Sequence, residues 1–348
     1  MQRWLTRLRG PHIILPYLGF GTETKLTVCG RVLEDEGFQP ARSGDRAWRN
    51  LVAMYKRFES DEVPCARVRA RHGAAVAEAV ADREGYFTVE LGTAPGGETW
   101  REVDLELLAP RPGAAATTKV LVPAAAARFG VISDIDDTVV QSHVTKKLRM
   151  VVGLALSNAR TRKPFEGVAA FYRALQEGSG GEGNPVFYVS KSPWNLYVPL
   201  IDFLQVQGIP LGPLLLRDFG MHLLRSSGDH KARSIDRVLE TYPKLPFVLI
   251  GDSGEHDPEI YRGVVHRWPG RVRAIYIRSV NRDPARLAAI DRLIAEVRPT
   301  GCQLVLAPDS EFAAAHAAGE GLITPAALGG IRREKAADRR RPPPEAVA

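Results

Sequence analysis

The run Asp134-Ile135-Asp136-Asp137-Thr138 follows the apolar stretch FGVIS with no intervening turn. Several carboxylates at the exit of a buried strand are costly to desolvate unless a cation offsets them. A hard divalent ion such as magnesium suits the place, because one or two carboxylates, water and phosphate oxygens are its usual ligands. Two carboxylates two residues apart can also divide labour, one attacking phosphorus while the other moves protons. A second apolar run, PVFYVS, ends at Ser190 and continues into Lys191, Ser192 and Pro193. These offer hydroxyls, a positive charge and a helix start to a phosphate group. Asp229-His230-Lys231 opens a helical pattern, with Asp229 placed as N-cap and Lys231 able to neutralise phosphate as a point charge. The run FVLIGD then delivers Asp252, with Asp257 five positions later, a second acidic cluster for the metal.

These clusters need elements to hold them. From about residue 126 the apolar runs FGVIS, PVFYVS, FVLIGD, RAIYIRS and CQLVLAP alternate with helical stretches such as PARLAAIDRLIAEV, where Leu287, Ile290, Leu293, Ile294 and Val297 share one side. That alternation predicts an α/β domain with a parallel sheet, whose ligands bind beyond the carboxyl ends of the strands. Pro199, inside the helical reading NLYVPLIDFL, implies a kink or a late helix start. Between residues 25 and 125 the pattern differs. KLTVCGRVL, ARVRARHG, AAVAEAVAD, YFTVEL, TWREVDLELL and TTKVLV read as short strands separated by turn residues, with one helix expected around Trp48, Leu51, Val52, Tyr55 and Phe58. A small β-sandwich is expected there.

Taken in order, the DxDxT run, the strand-end serine, the helix-start lysine and the GDxxxxD run resemble the four motifs of the haloacid dehalogenase superfamily over roughly residues 129–280. Within it, DIDDT, YVSKSPWNLY, DHK and GDSGEHDPEIY resemble the phosphatidate phosphatases of the yeast actin-patch-protein type and their bacterial relatives. The resemblance implies that Asp134 is the nucleophile of an aspartyl-phosphate and Asp136 the general acid/base. Thr138, Ser190, Lys191 and Lys231 would bind the substrate phosphate, and Asp134, Asp136, Asp252 and Asp257 would hold Mg2+. It also implies a lipid phosphomonoester substrate, phosphatidate giving diacylglycerol and phosphate. Lys191 departs from the small polar residue expected between the two serines. REGYFTVEL resembles a strand pair of transthyretin-like and carboxypeptidase regulatory-type sandwiches. The expected organisation is therefore an N-terminal segment (1–24), a β-sandwich-like domain (25–125), a Rossmann-like catalytic domain of haloacid dehalogenase type (126–325) and a basic, proline-rich disordered tail (326–348).

Bulk properties narrow the class without naming a substrate. The 348 residues are enough for two domains, and 45% hydrophobic with 25% charged content is that of a folded globular protein. A net charge of +7 attracts anionic partners, phosphoesters and lipid surfaces among them. Three cysteines with no CxxC pair indicate neither a disulfide framework nor a zinc knuckle, and no aromatic RNA-binding motif accompanies the charge, so no nucleic acid is expected. No apolar stretch reaches membrane-spanning length, and charge and proline break the start MQRWLTRLRGPH before a signal-like run develops. The expectation is a cytoplasmic enzyme, peripheral to a membrane if residues 143–163, with their basic residues around MVVGLAL, cover the site and touch lipid. Two other readings fit the residues: a phosphatase for a soluble phosphomonoester, and a non-catalytic interaction protein.

Overall fold

The computed structural model describes residues 10–34, 62–135, 165–217, 227–281 and 283–340. The helix expected at 48–58, the segment 143–163 and Asp136, Asp137 and Thr138 lie outside them. The chain forms two compact units, residues 1–122 and 123–348.

In the first unit the strands are β1 (His12–Pro16), β2 (Gly19–Gly21), β3 (Lys25–Glu34), β4 (Arg67–His72), β5 (Ala75–Val80), β6 (Tyr86–Gly92), β7 (Trp100–Ala109) and β8 (Ala115–Leu121). They pair in the order β1-β3-β2-β8-β7-β4-β5, with β6 on β3; every pairing is antiparallel except β2 with β8. Alternation builds the core. In β7, Val103, Leu105 and Leu107 are buried while Glu102, Asp104 and Glu106 face outward, and β6 turns Phe87, Val89 and Leu91 inward in the same way. The two strands within residues 12–21 correct the expected boundary at residue 24. β2 is only GFG, too short for a periodic signal, and its glycines permit close pairing: a Cβ on Gly19 would lie 2.3 Å from the Thr27 carbonyl oxygen.

The second unit contains a six-stranded, wholly parallel sheet: β9 (Gly130–Asp134), β10 (Val186–Pro193), β11 (Leu214–Arg217), β12 (Phe247–Asp252), β13 (Val272–Arg278) and β14 (Gln303–Ala307). Its order is β11-β10-β9-β12-β13-β14. The chain runs outward from β9 to β11, then returns to the other side of β9 and runs outward again to β14. The switch point therefore falls between β9 and β12, where ligands bind in such sheets. The helices are α1 (Val168–Glu177), α2 (Tyr197–Val206), α3 (Ser227–Thr241), α4 (Asp257–Arg267), α5 (Pro284–Val297), α6 (Ser310–Gly319) and α7 (Ala327–Arg340). Helices α3, α4 and α5 pack in succession, and α1, α6 and α7 form a second group. Strands β9 and β12 are buried throughout, as expected for a sheet covered on both faces. Pro199 lies in the first turn of α2, where its missing N–H has no helical partner to lose, so the late helix start holds.

Residues 327–340 form a helix rather than a disordered tail. Ile331 is buried, and Lys335 donates to Asp309 at 2.7 Å and to Glu311 at 2.9 Å. The acidic residues of α7 meet the start of α1, whose N-cap Gly167 has no side chain to offer. Asp338 accepts from the Gly167 N–H at 2.9 Å and Glu334 from the Ala170 N–H at 2.8 Å. A distant helix thus satisfies donors that are usually capped locally. Each of Glu334→Ala and Asp338→Ala is expected to cost about 1 kcal/mol, read as a lower urea midpoint of the full chain. Unchanged midpoints would mean that these bonds contribute nothing to docking α7.

Candidate active site

The carboxyl ends of β9, β10 and β12 converge because the parallel register sets Asp134 beside Val189, one residue before Ser190, and Ser133 beside Ile250. Three continuous apolar strands thereby deliver Asp134, Ser190 and Asp252 to one edge of the sheet, each at most 1% exposed. Helix α3 brings Lys231 to the same place. This helix begins at Ser227, two residues before Asp229.

Lys231 is fully buried and is the hub of the cluster. Its Nζ donates to Asp134 Oδ1 at 2.8 Å, to Asp257 Oδ1, and to Glu255 Oε2 at 3.4 Å. Burial works against the ammonium charge, but Asp134 and Asp257 together hold its pKa well above the ordinary lysine value. Asp257 is also fully buried. Its second oxygen accepts from the Asp252 N–H at 3.2 Å, which ties the first turn of α4 to the end of β12. His256 occupies the N-cap position of α4 and Pro258 follows Asp257, so Asp257 serves Lys231 and the β12 turn rather than capping the helix. Gly251 permits this approach, since a Cβ there would lie 2.4 Å from Asp257 Oδ2.

Asp252 Oδ1 accepts from the N–H groups of Gly254 at 2.6 Å and Glu255 at 2.9 Å, which folds the loop after β12. Its Oδ2 is buried with no hydrogen-bond partner among the described residues. Burial, followed by the charge of Asp257, pushes the Asp252 carboxyl up to about 7. The proton held there has a thermodynamic consequence. A carboxyl raised from 3.8 to about 7 favours the folded state fully below the lower value, and that contribution is lost as pH rises through the higher one. In chelator, urea midpoints of the parent should therefore fall from pH 4 to pH 7 more steeply than those of Asp252→Asn. Parallel curves would contradict the placement of this proton.

Glu255 was not singled out by motif order, yet the structure brings it into the site. Its Oε2 lies 3.0 Å from Lys191 Nζ as well as 3.4 Å from Lys231 Nζ. Burial raises its pKa, but Lys231 and then Lys191 hold it below the ordinary glutamate range. Oxygen atoms of Asp134, Glu255 and Asp257 all lie within 4.8 Å of one another, a spacing that could hold a metal ion. The signal in the sequence was its place between two acidic residues of one loop. Ser190 Oγ accepts from the Ser192 N–H at 2.9 Å, which orients the hydroxyl at the end of β10. Behind Asp134, Ser133 Oγ and Tyr172 OH form a buried hydrogen bond of 2.6 Å. Thus Asp134, Ser190, Lys191, Lys231, Asp252 and Asp257 gather at one strand-end cluster, while Asp136 and Thr138 lie outside the described residues. Among the described residues no helix is long and apolar enough to cross a membrane.

Comparison with known proteins gives the cluster a context. Phosphatidate phosphatase APP1 of Saccharomyces cerevisiae is 32% identical over 154 residues, which cover 43% of this chain and 26% of the yeast protein. An uncharacterized protein of Schizosaccharomyces pombe is 31% identical over 159 residues, covering 44% of this chain and 26% of its own length. The matched stretch thus covers about a quarter of the length of these curated relatives. Among solved structures, a carbohydrate acetylesterase from Xanthomonas citri aligns over 82% of this chain and 75% of its own at 13% identity, with a TM-score of 0.29. The PilB minor pilin from Streptococcus sanguinis aligns over 79% and 87% at 9% identity, with a TM-score of 0.28. Likenesses at that level carry no argument about fold or function. Residues 129–279, which contain the β9 aspartate, the β10 serine, the α3 lysine and the β12 loop, match the family model described as the catalytic domain of phosphatidate phosphatase APP1.

Proposed function

We propose that the second unit is a magnesium-dependent phosphomonoester hydrolase of the haloacid dehalogenase type, working through an aspartyl-phosphate, with phosphatidate as its substrate. The observation that carries this reading is the pairing of buried Asp134, at the switch point of a parallel sheet, with buried Lys231, inside a segment similar to a phosphatidate phosphatase catalytic domain.

The residues fit a hard divalent cation. Three carboxylates, Asp134, Glu255 and Asp257, pair with two ammonium groups, Lys191 and Lys231, and beside them Asp252 Oδ2 is a buried acceptor without a donor among the described residues. An all-oxygen donor set with excess negative charge suits magnesium. Asp134, Asp136 and Asp252 would hold it. Asp257, named from the motif as a ligand, has both oxygens engaged by Lys231 and the Asp252 amide, which favours a role in orienting them. When bound, the ion would neutralise charge on the phosphoryl oxygens.

The chain's own groups account for the two displacements. Lys231 balances the charge of Asp134 and holds it in place, so its carboxylate oxygen can attack phosphorus; an O–P bond forms as the bond from phosphorus to the glycerol oxygen breaks. Asp136 would give its proton to that departing oxygen. In the second step it takes a proton from water as the water attacks the aspartyl-phosphate, releasing inorganic phosphate and restoring Asp134. Ser190, Thr138 and the two lysines would stabilise the equatorial oxygens. A lipid substrate implies peripheral contact between the enzyme and a bilayer or micelle surface.

Substrate class is tested by comparing turnover of phosphatidate in detergent micelles with that of sugar phosphates and nucleotides at equal concentration. Preference for phosphatidate is expected. Turnover of soluble esters alone would remove the lipid assignment and leave the hydrolase.

A further inference from the structure

The two cations assigned to the substrate phosphate share an anion already: Glu255 Oε2 lies 3.0 Å from Lys191 Nζ and 3.4 Å from Lys231 Nζ. We infer that Glu255 is an internal placeholder for the phosphoryl group, its carboxylate seated between Lys191 and Lys231 until the substrate phosphate displaces it. The inference rests on the phosphohydrolase reading, which supplies the phosphate that the two lysines serve.

The exposures favour displacement. Lys231 is closed off completely, whereas the side chains of Glu255 and Lys191 are 30% and 22% exposed, at the open side of the cluster. The backbone of Glu255 is anchored, its N–H donating to Asp252 Oδ1 at 2.9 Å, so the side chain can leave while the loop stays. Chemistry points the same way. A carboxylate and a phosphate monoester present the same kind of acceptor oxygens to ammonium groups, but the phosphate carries more charge and more oxygens. A lysine brought to a phosphate site without a counter-ion would leave a part-buried charge unpaired. Lys191 and Glu255 thus form a matched pair: the extra cation strengthens phosphate binding, and the glutamate keeps it neutral when no phosphate is present. Glu255 is a positioning residue here, and its displacement lowers apparent affinity for every phosphate ligand, product included, by the cost of breaking its contacts.

The test is orthophosphate binding by titration calorimetry on the full chain with saturating magnesium, and steady-state turnover of phosphatidate, for the parent, Glu255→Gln and Glu255→Asp. Glu255→Gln keeps the shape and removes the charge; about fivefold tighter orthophosphate binding and a parallel fall in KM are expected. Glu255→Asp retains the charge and should stay near the parental Kd. A misfolded variant cannot gain affinity, so the direction of change is diagnostic. Equal or weaker phosphate binding by Glu255→Gln, or no orthophosphate binding by any of the three chains, would overturn the inference. A rise in the magnesium concentration for half-maximal turnover would also overturn it, because that marks Glu255 as a metal ligand. If the parent binds orthophosphate but hydrolyses no phosphomonoester, the phosphohydrolase reading fails, and the Kd ratio still decides the placeholder.

Discussion

Replacing Lys231 by methionine is expected to destabilise the second unit by about 3–5 kcal/mol at neutral pH, the cost of leaving a buried charge without its partner. Asp134 and Asp257 both lose their ammonium, and both are at most 1% exposed. The sign of the pH dependence follows from the charges. Lys231 has a pKa raised well above its ordinary 10.5, so it is charged across the whole working range. Without it Asp257, whose pKa burial already raises and Lys231 holds down, would be protonated at higher pH than in the parent. The variant's deficit should therefore be greatest at neutral and alkaline pH and shrink toward pH 4. Hydrogen exchange of the β9 and β12 amides, followed at pH 5 and pH 8, reads this directly. Parental protection at pH 8 would show that the ion cluster does not hold these strand ends.

Gly251→Ala is expected to damage activity more than stability. The new Cβ would fall 2.4 Å from Asp257 Oδ2 and 2.8 Å from Asp257 Cβ, closer than such atoms ever come. Asp257 has nowhere to retreat. It is fully buried, bound to Lys231 and to the Asp252 amide, and sits in the first turn of α4. Either the end of β12 or the start of α4 must shift, an overpacking cost of about 1–3 kcal/mol. A displacement near 1 Å of Asp252 or Lys231 would lower phosphate release by roughly a hundredfold. Gly319→Ala is the control, since a methyl group there meets nothing within 4 Å. Activity retained in Gly251→Ala, with the control unchanged, would mean that the Asp252–Asp257 turn does not set the site.

The site residues were legible because parallel strands are read twice over. Each apolar run, FGVIS, PVFYVS and FVLIGD, announces a strand buried on both faces, and the polar residue that ends it must lie at the sheet's edge. Motif order then places Lys231 between them. Glu255 stayed hidden because its position follows from the turn that Asp252 Oδ1 imposes on the loop, a contact with no periodic signature. Helix α7 stayed hidden for a related reason. Its charge run looks solvated until Glu334 and Asp338 are seen against the start of α1, more than 160 residues away in the chain. β2, three residues long, depends on partners in β3 and β8. The first unit's longer strands were plain from alternation, as in β7, where Val103, Leu105 and Leu107 are buried between exposed Glu102, Asp104 and Glu106.

The most direct test of the central claim is phosphate release from phosphatidate in detergent micelles, with magnesium or with chelator, by the parent chain and by Asp134→Asn. The substitution keeps the side chain's size and removes the attacking oxygen's charge. Release that requires magnesium and falls by about a thousandfold or more in the variant is expected. Undiminished release by Asp134→Asn, or release by the parent that persists in chelator, would contradict a magnesium-dependent aspartyl-phosphate mechanism at Asp134.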